Sequence, residues 1–272
     1  MAQLGEVAIA TGENRPNRDT QVSRPAAVIE LDGIARRFGV QWPLRGASLT
    51  VSPGEGVALM GRNGSGKTTL LRILSTALRP TRGSGRILGH DLVTEGEAVR
   101  ARTGVLGHAP ALYLELSPRE NLQFAQRMHG APVDMPAIDR ALERVSLGDF
   151  ADERVRHFSS GMMRRVALAR LVLREYAVLL LDEPYASFDA EGIALLDEIA
   201  NAARRRGAAV IVATHDPGRA RAMAERISGS ACPSVTPCRF AVMLTAQTEF
   251  ALTHIPSHLR KKIGEFVRSN IP

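Results

Sequence analysis

Val57-Ala-Leu-Met60, followed by Gly61-Arg62-Asn63-Gly64-Ser65-Gly66-Lys67-Thr68-Thr69, decides the fold. Four apolar residues between the Pro53-Gly54 turn and a glycine-rich turn read as a short buried strand. From Lys67 to Leu78 the spacing becomes helical, with Leu70, Leu71, Ile73, Leu74 and Leu78 able to face a core. Gly61 to Thr68 fit G-x-x-x-x-G-K-[ST] at every fixed position, between a strand and a helix as the pattern requires. The glycines let the backbone curl until successive N–H groups point at one anion, and the helix adds its positive end. Lys67 would bring a full charge to the β- and γ-phosphates of a nucleoside triphosphate, and Thr68 a hydroxyl to Mg²⁺.

Two further segments end where that loop needs them. Val178-Leu-Leu-Leu181 is an apolar strand closed by Asp182-Glu183, 115 residues after Lys67. Acids at the carboxyl end of a central strand lie at the edge where α/β sheets bind ligands. Asp182 is expected to hold Mg²⁺ through water, and Glu183 to orient and deprotonate the water that attacks the γ-phosphate. Ala208 to Ala213 is a second apolar strand, running into Thr214-His215-Asp216. His215 is expected at the same edge, bonded to the γ-phosphate.

Around this centre, strands and helices alternate. Ala27 to Leu31 and Ala47 to Val51 read as strands. Pro136 to Leu147, Ser160 to Arg174 and Ala190 to about Arg205 read as helices. Ser117-Pro118-Arg119-Glu120 is a helix start, with Ser117 as N-cap, Pro118 in the first turn and Glu120 closing a capping box. This α/β order predicts a mostly parallel sheet covered on both faces, and no repeat divides it in two. Residues 11–25 are polar and aperiodic, a mobile tail or a linker. After Ile227 the pattern is lost, and residues 229–272 have no assigned structure.

Of 272 residues, 44% are hydrophobic and 23% charged, which excludes a disordered chain. The charge of +7 suits a phosphate-bearing partner without choosing among nucleotide, nucleic acid and anionic lipid. No apolar run approaches the about 20 residues that a spanning helix needs. Met1 to Arg15 carries Glu6 and no basic n-region, so it does not read as a secretory signal. Cys232 and Cys238 form no disulfide framework, and a reducing cytosol is expected. They are expected as unpaired thiols and could bind a metal only with ligands from elsewhere; Pro256 argues against a helix that would set His254 and His258 on one face beside them.

With these residues in hand, the chain resembles the nucleotide-binding subunit of an ATP-binding cassette (ABC) transporter over residues 26–228. The resemblance implies a P-loop ATPase domain with an antiparallel β subdomain and an inserted α-helical subdomain at about 95–172. Phe38 matches the aromatic residue that stacks on adenine. Phe158-Ser159-Ser160-Gly161-Met162 stands at the family signature, usually LSGGQ; Ser159 and Gly161 keep the pattern, and Phe158, Ser160 and Met162 depart from it. Asp189 matches the loop that bridges two subunits. Gly107-His108 stands where the family usually has glutamine, and His108 can donate or accept through one water near Mg²⁺.

The resemblance further implies ATP and Mg²⁺ as ligands and a two-fold dimer in which the phosphate loop of one copy faces Ser159 of the other. It implies membrane subunits as partners, met by Tyr113 to Gly130, and a peripheral place on the cytoplasmic membrane face. Gly107-His108, the Arg164-Arg165-Val-Ala-Leu-Ala-Arg-Leu stretch of the helix and the compact size are similar to haem-exporter ATP-binding subunits of cytochrome c maturation. A drug or lipid exporter subunit carries much the same residues. A GTPase would need an Asn/Thr-Lys-x-Asp motif, and none is present. A chromosome-organising ATPase would need a long coiled coil between the nucleotide motifs. A translation-associated member would carry two cassettes. No nucleic-acid partner is expected, but the basic chain leaves a non-transport ATPase of this family acting on nucleic acid as an alternative, which salt-dependent DNA binding would test.

Overall fold

The computed structural model describes residues 26–61, 63–216 and 218–220, and the backbone of 241–242. The tail before Ala26, Arg62, both cysteines, His254 and His258 lie outside the described residues.

Two sheets share one core. Strands β1 (Ile29–Phe38), β2 (Gln41–Val51), β4 (Arg82–Ile87) and β5 (His90–Asp91) form an antiparallel sheet in the order β2-β1-β4-β5. Strands β3 (Gly56–Met60), β6 (Thr103–Leu106), β7 (Val178–Asp182), β8 (Ala209–Thr214) and β9 (Ala241–Val242) form a parallel sheet in the order β6-β7-β8-β3-β9. The expected parallel core and separate antiparallel sheet are both present. Helix α1 (Lys67–Leu74) follows the phosphate loop and α2 (Gly96–Arg102) precedes β6. Helices α3 (Pro118–Met128), α4 (Met135–Arg144) and α5 (Ser160–Val172) lie between β6 and β7, and α6 (Ala190–Arg205) joins β7 to β8.

The parallel sheet divides two apolar layers, and the two-residue period of a strand does the dividing. From β7, Val178 and Leu180 join Ile29, Leu44, Leu70 and Ile73 beneath the antiparallel sheet and α1. Leu179 and Leu181 join Ile138, Leu142, Leu168 and Ile199 beneath the helices. β8 alternates in the same way, with Ile211 on the first side and Val210 and Val212 on the second. A strand buried on both faces has no polar side to show, which is why β7 and β8 read as unbroken apolar runs.

Local chemistry sets several boundaries. Ser117 accepts from the Glu120 N–H, and Glu120 Oε2 accepts from the Ser117 N–H at 2.8 Å, so the capping box of α3 is complete. Asp134 caps α4 by accepting from the Ala137 N–H at 3.0 Å. Some elements are shorter than their spacing suggests: α1 stops at Leu74, α4 at Arg144 and α5 at Val172. At α1 the Ser75 and Thr76 N–H groups bond back to Leu71 and Ile73, and Thr76 turns to φ +59°, out of the helix.

β6 falls inside the stretch expected to be helical insertion, yet it pairs with β7 from Thr103↔Val178 to Leu106↔Leu181. Beyond Ile227, where no further strand is recognisable in the sequence, Ala241 and Val242 pair in parallel with Leu59 and Met60 of β3.

Candidate nucleotide site

Register brings three strand ends to one edge. Met60 lies opposite Thr214, and Asp182 opposite Ala213. The phosphate loop, the Asp182-Glu183 pair and His215 therefore leave the sheet side by side, as their positions after apolar strands implied. Met60, Gly61, Asn63 and His215 line an open cleft of about 570 Å³ there.

The loop is built close against the antiparallel sheet. Gly64 and Gly66 take φ +80° and +93°, left-handed values that suit glycine. Gly66 is also pressed on β2: a Cβ there would lie 2.4 Å from the Pro43 carbonyl oxygen. Lys67 is buried, with Nζ donating to the Gly61 carbonyl at 2.6 Å. Helix α1 starts at that lysine with no side-chain cap, so its first N–H groups remain available to an anion. Ser65 Oγ is buried without a hydrogen-bond partner inside the loop. A buried orphan hydroxyl is costly unless something polar meets it, and a phosphate oxygen or a water has that chemistry.

Across the edge, Thr68 Oγ1 donates to Asp182 Oδ1 at 3.2 Å, although 114 residues separate them. Asp182 is buried, at 5% exposure. A hydroxyl and a carboxylate oxygen in contact are hard donors of the kind Mg²⁺ takes, together with substrate phosphates. No cluster of three or more His, Cys, Asp or Glu suited to a metal occurs among the described residues.

Glu183 sits at φ +45°, a strained value for a non-glycine residue, with its N–H tied to the Ala213 carbonyl at 2.9 Å. Its Oε1 lies 3.0 Å from His215 Nδ1, within ion-pair distance. The sequence placed both residues at the edge but did not pair them.

Of the remaining candidates, Gly107-His108 leave the same edge, since Leu106 lies opposite Leu181, whereas Phe38, Ser159 and Asp189 belong to other elements. Phe38 ends β1 at a two-residue hairpin, 45% exposed, with the Arg36 guanidinium 4.7 Å from its ring. Ser159 is the N-cap of α5, accepting from the Met162 N–H at 3.2 Å, with Gly161 in the first turn. Asp189 caps α6 by accepting from the Gly192 N–H at 2.9 Å, and Arg165 Nη2 reaches both of its oxygens at 3.0 and 2.9 Å. The cap bond first, and Arg165 second, hold the Asp189 carboxyl below the usual carboxylate range. His108 is exposed, and its carbonyl, like that of Gly107, accepts from buried Arg164. Arg164 and Arg165 were not expected to serve the site. Two adjacent arginines in a helix otherwise rich in apolar residues were the available signal.

A phosphate loop, an acid pair and a histidine at the carboxyl edge of a parallel sheet, with a separate antiparallel sheet and helices between β6 and β7, define a P-loop nucleotide-binding cassette. The ABC transporter family profile matches residues 44–186. The chain is 41% identical over 202 residues to daunorubicin resistance ATP-binding protein DrrA3 of Streptomyces coeruleorubidus, covering 74% of this chain and 64% of that one. It is 40% identical over 196 residues to cytochrome c biogenesis ATP-binding export protein CcmA 2 of Cupriavidus metallidurans, covering 70% and 90%. A solved ATP-binding subunit of an ABC transporter superposes with a TM-score of 0.66 at 28% identity, over 72% of this chain and 82% of that one. A dimeric ATP-binding cassette bound to ADP and Pi, TM-score 0.65 at 24% identity over 71% and 90%, shares the fold. This chain belongs to the ABC transporter family, as an ATP-binding, ATP-hydrolysing subunit.

Proposed function

We propose that this chain binds Mg-ATP at the edge formed by β3, β7 and β8 and hydrolyses it to drive separate membrane subunits. The observation that carries the reading is the 3.2 Å bond from Thr68 to Asp182, which joins the phosphate loop to the acid pair. Gly61 to Thr69, Arg62 included, wrap the triphosphate, with Lys67 exchanging the Gly61 carbonyl for phosphate oxygens. Phe38 offers its half-exposed ring to adenine. Thr68 and Asp182, with His108 through water, hold Mg²⁺. When bound, the ion withdraws charge from the phosphates and so favours attack on the γ-phosphorus.

Glu183 accepts the proton of the attacking water. His215 turns from Glu183 Oε1 to the γ-phosphate, which links the presence of that phosphate to the position of the base. Ser159 and Gly161 present the amino end of α5 to the nucleotide of a second copy, and Asp189 lies at that junction, so ATP joins two chains. No helix among the described residues is long and apolar enough to cross a membrane, in keeping with a peripheral place on the cytoplasmic face beside membrane subunits. The exposed side chains of Tyr113, Leu114 and Met128 supply an apolar surface for those subunits.

The test is Glu183→Gln in the full chain. ATP binding is expected to persist while turnover falls at least tenfold, equivalent to about 1.4 kcal/mol of barrier. Normal turnover would remove Glu183 from the base role. For the cargo we favour haem export for cytochrome c biogenesis, on the 40% identity and 90% coverage of the CcmA relative. The 41% identity to DrrA3 favours drug export as the second reading. Deleting the gene should abolish c-type cytochromes while leaving daunorubicin tolerance unchanged; the reverse pattern selects the second reading.

A further inference from the structure

Arg164 is a charged side chain inside the protein that forms no ion pair among the described residues. It stands in the second turn of α5 at 5% exposure. Its Nη1 donates to the Gly107 carbonyl at 3.4 Å and its Nη2 to the His108 carbonyl at 3.2 Å. No carboxylate lies within ion-pair distance of it among the described residues, whereas the adjacent Arg165 holds both Asp189 and Glu191. Burial lowers the pKa of Arg164, and the charge of Asp182, at the end of β7, works against that shift. Leu106 of β6 lies opposite Leu181 of β7, so the Gly107 and His108 carbonyls that the guanidinium holds leave the sheet beside Asp182.

A buried guanidinium is expensive, and an apolar side chain of similar size often serves stability as well or better. Packing alone does not call for arginine here. What arginine supplies is a rigid planar fork, able to fix two neighbouring carbonyls at once. Those carbonyls belong to the two residues whose placement sets where the His108 ring can reach. Arg164 shares a helix with Ser159, its cap, so the fork also ties the amino end of α5 to the edge of the sheet.

We propose that Arg164 is a positioning residue for ATP hydrolysis: by holding the Gly107 and His108 carbonyls it fixes the His108 segment against the end of β7 and joins it to α5. The inference rests on the nucleotide-site reading above and adds to it a coupling between α5 and the His108 segment. It assigns Arg164 no contact with nucleotide.

The experiment uses the full-length chain with Arg164→Met, Arg164→Lys, His108→Ala and the Arg164→Met/His108→Ala double variant. Amide hydrogen exchange is first measured without nucleotide. In Arg164→Met the amides of Gly107, His108 and Ala109 should exchange at least tenfold faster, while the melting temperature is unchanged or higher. The kcat for ATP should fall at least fivefold with KM within twofold, because the phosphate loop is untouched. The double variant should lose no more than the worse single variant, since both act through one segment. Unchanged exchange in Arg164→Met, kcat within twofold of wild type, or losses that multiply in the double variant would each overturn the proposal.

Should Arg164→Met fail to fold, Arg164→Lys carries the test, because it keeps the charge and loses the fork. Faster exchange at 107–109 supports the anchor, and wild-type exchange overturns it. A wild-type chain without ATPase activity, alongside the expected exchange pattern, would instead count against the nucleotide-site reading and leave the anchor standing.

Discussion

Replacing Gly66 by alanine separates the two constraints that shape the phosphate loop. Gly66 takes φ +93° and Gly64 takes φ +80°, so alanine meets similar backbone strain at either site, about 1–2 kcal/mol. The surroundings differ. A Cβ at position 64 would meet nothing within 4 Å, whereas at position 66 it would lie 2.4 Å from the Pro43 oxygen, 3.2 Å from its carbonyl carbon and 3.6 Å from Leu44 Cδ1. The obstacle is backbone in β2, next to fully buried Leu44, and it has little room to retreat. Overpacking of that kind adds about 1–3 kcal/mol. Gly64→Ala should therefore cost about 1–2 kcal/mol and Gly66→Ala about 2–5 kcal/mol. Thermal unfolding of the two variants side by side reads the difference, at about 2–4 °C per kcal/mol for a domain of this size. If Gly66→Ala melts within about 2 °C of Gly64→Ala, the close approach of β2 to the loop does not constrain it as argued.

Three other outcomes follow from the same geometry. Lys67→Ala should abolish nucleotide binding, since it removes the buried ammonium that donates to the Gly61 carbonyl within the loop; unchanged affinity in an ATP titration would refute the phosphate-loop assignment. Ser117→Ala should destabilise the chain by about 1 kcal/mol through loss of the capping box, seen as a lower denaturant midpoint with unchanged slope. Asp189 has a folded pKa below its unfolded value. Its stabilisation is complete above the usual carboxylate value near 4 and is lost as pH falls through the lower folded value. Melting temperatures of wild type and Asp189→Asn should thus differ at pH 6 and converge well below pH 4, and a gap that persists there would contradict the cap and Arg165 contacts as its cause.

Much of the site was legible because its signals are contiguous in sequence. A loop that curls around an anion must carry glycine, lysine and threonine at fixed spacing between a strand and a helix. Asp182 directly follows one apolar run, with Glu183 next, and His215 stands one residue past another, so the carboxyl edge of a parallel sheet places all three. The capping box of α3 was equally plain, because its hydrogen bonds span three residues.

Other elements carried no such local signal. β4, Arg82–Ile87, contains two glycines and no apolar alternation, and it becomes a strand by pairing with β1. β6 has four residues and owes its place in the sheet to β7, whose sequence lies more than 70 positions away. β9 is a strand only because β3 offers it an edge.

The sequence alone determined the class of chemistry and the strand ends that bear it, since those depend on neighbours along the chain and on the two-residue period of buried strands. Tertiary structure alone decided that Glu183 pairs with His215, that Thr68 reaches Asp182, and that Arg164 and Arg165 point to different loops. Each of those contacts joins residues brought together by sheet register or helix packing, and the pattern of residues within any one segment does not encode the distance between two segments.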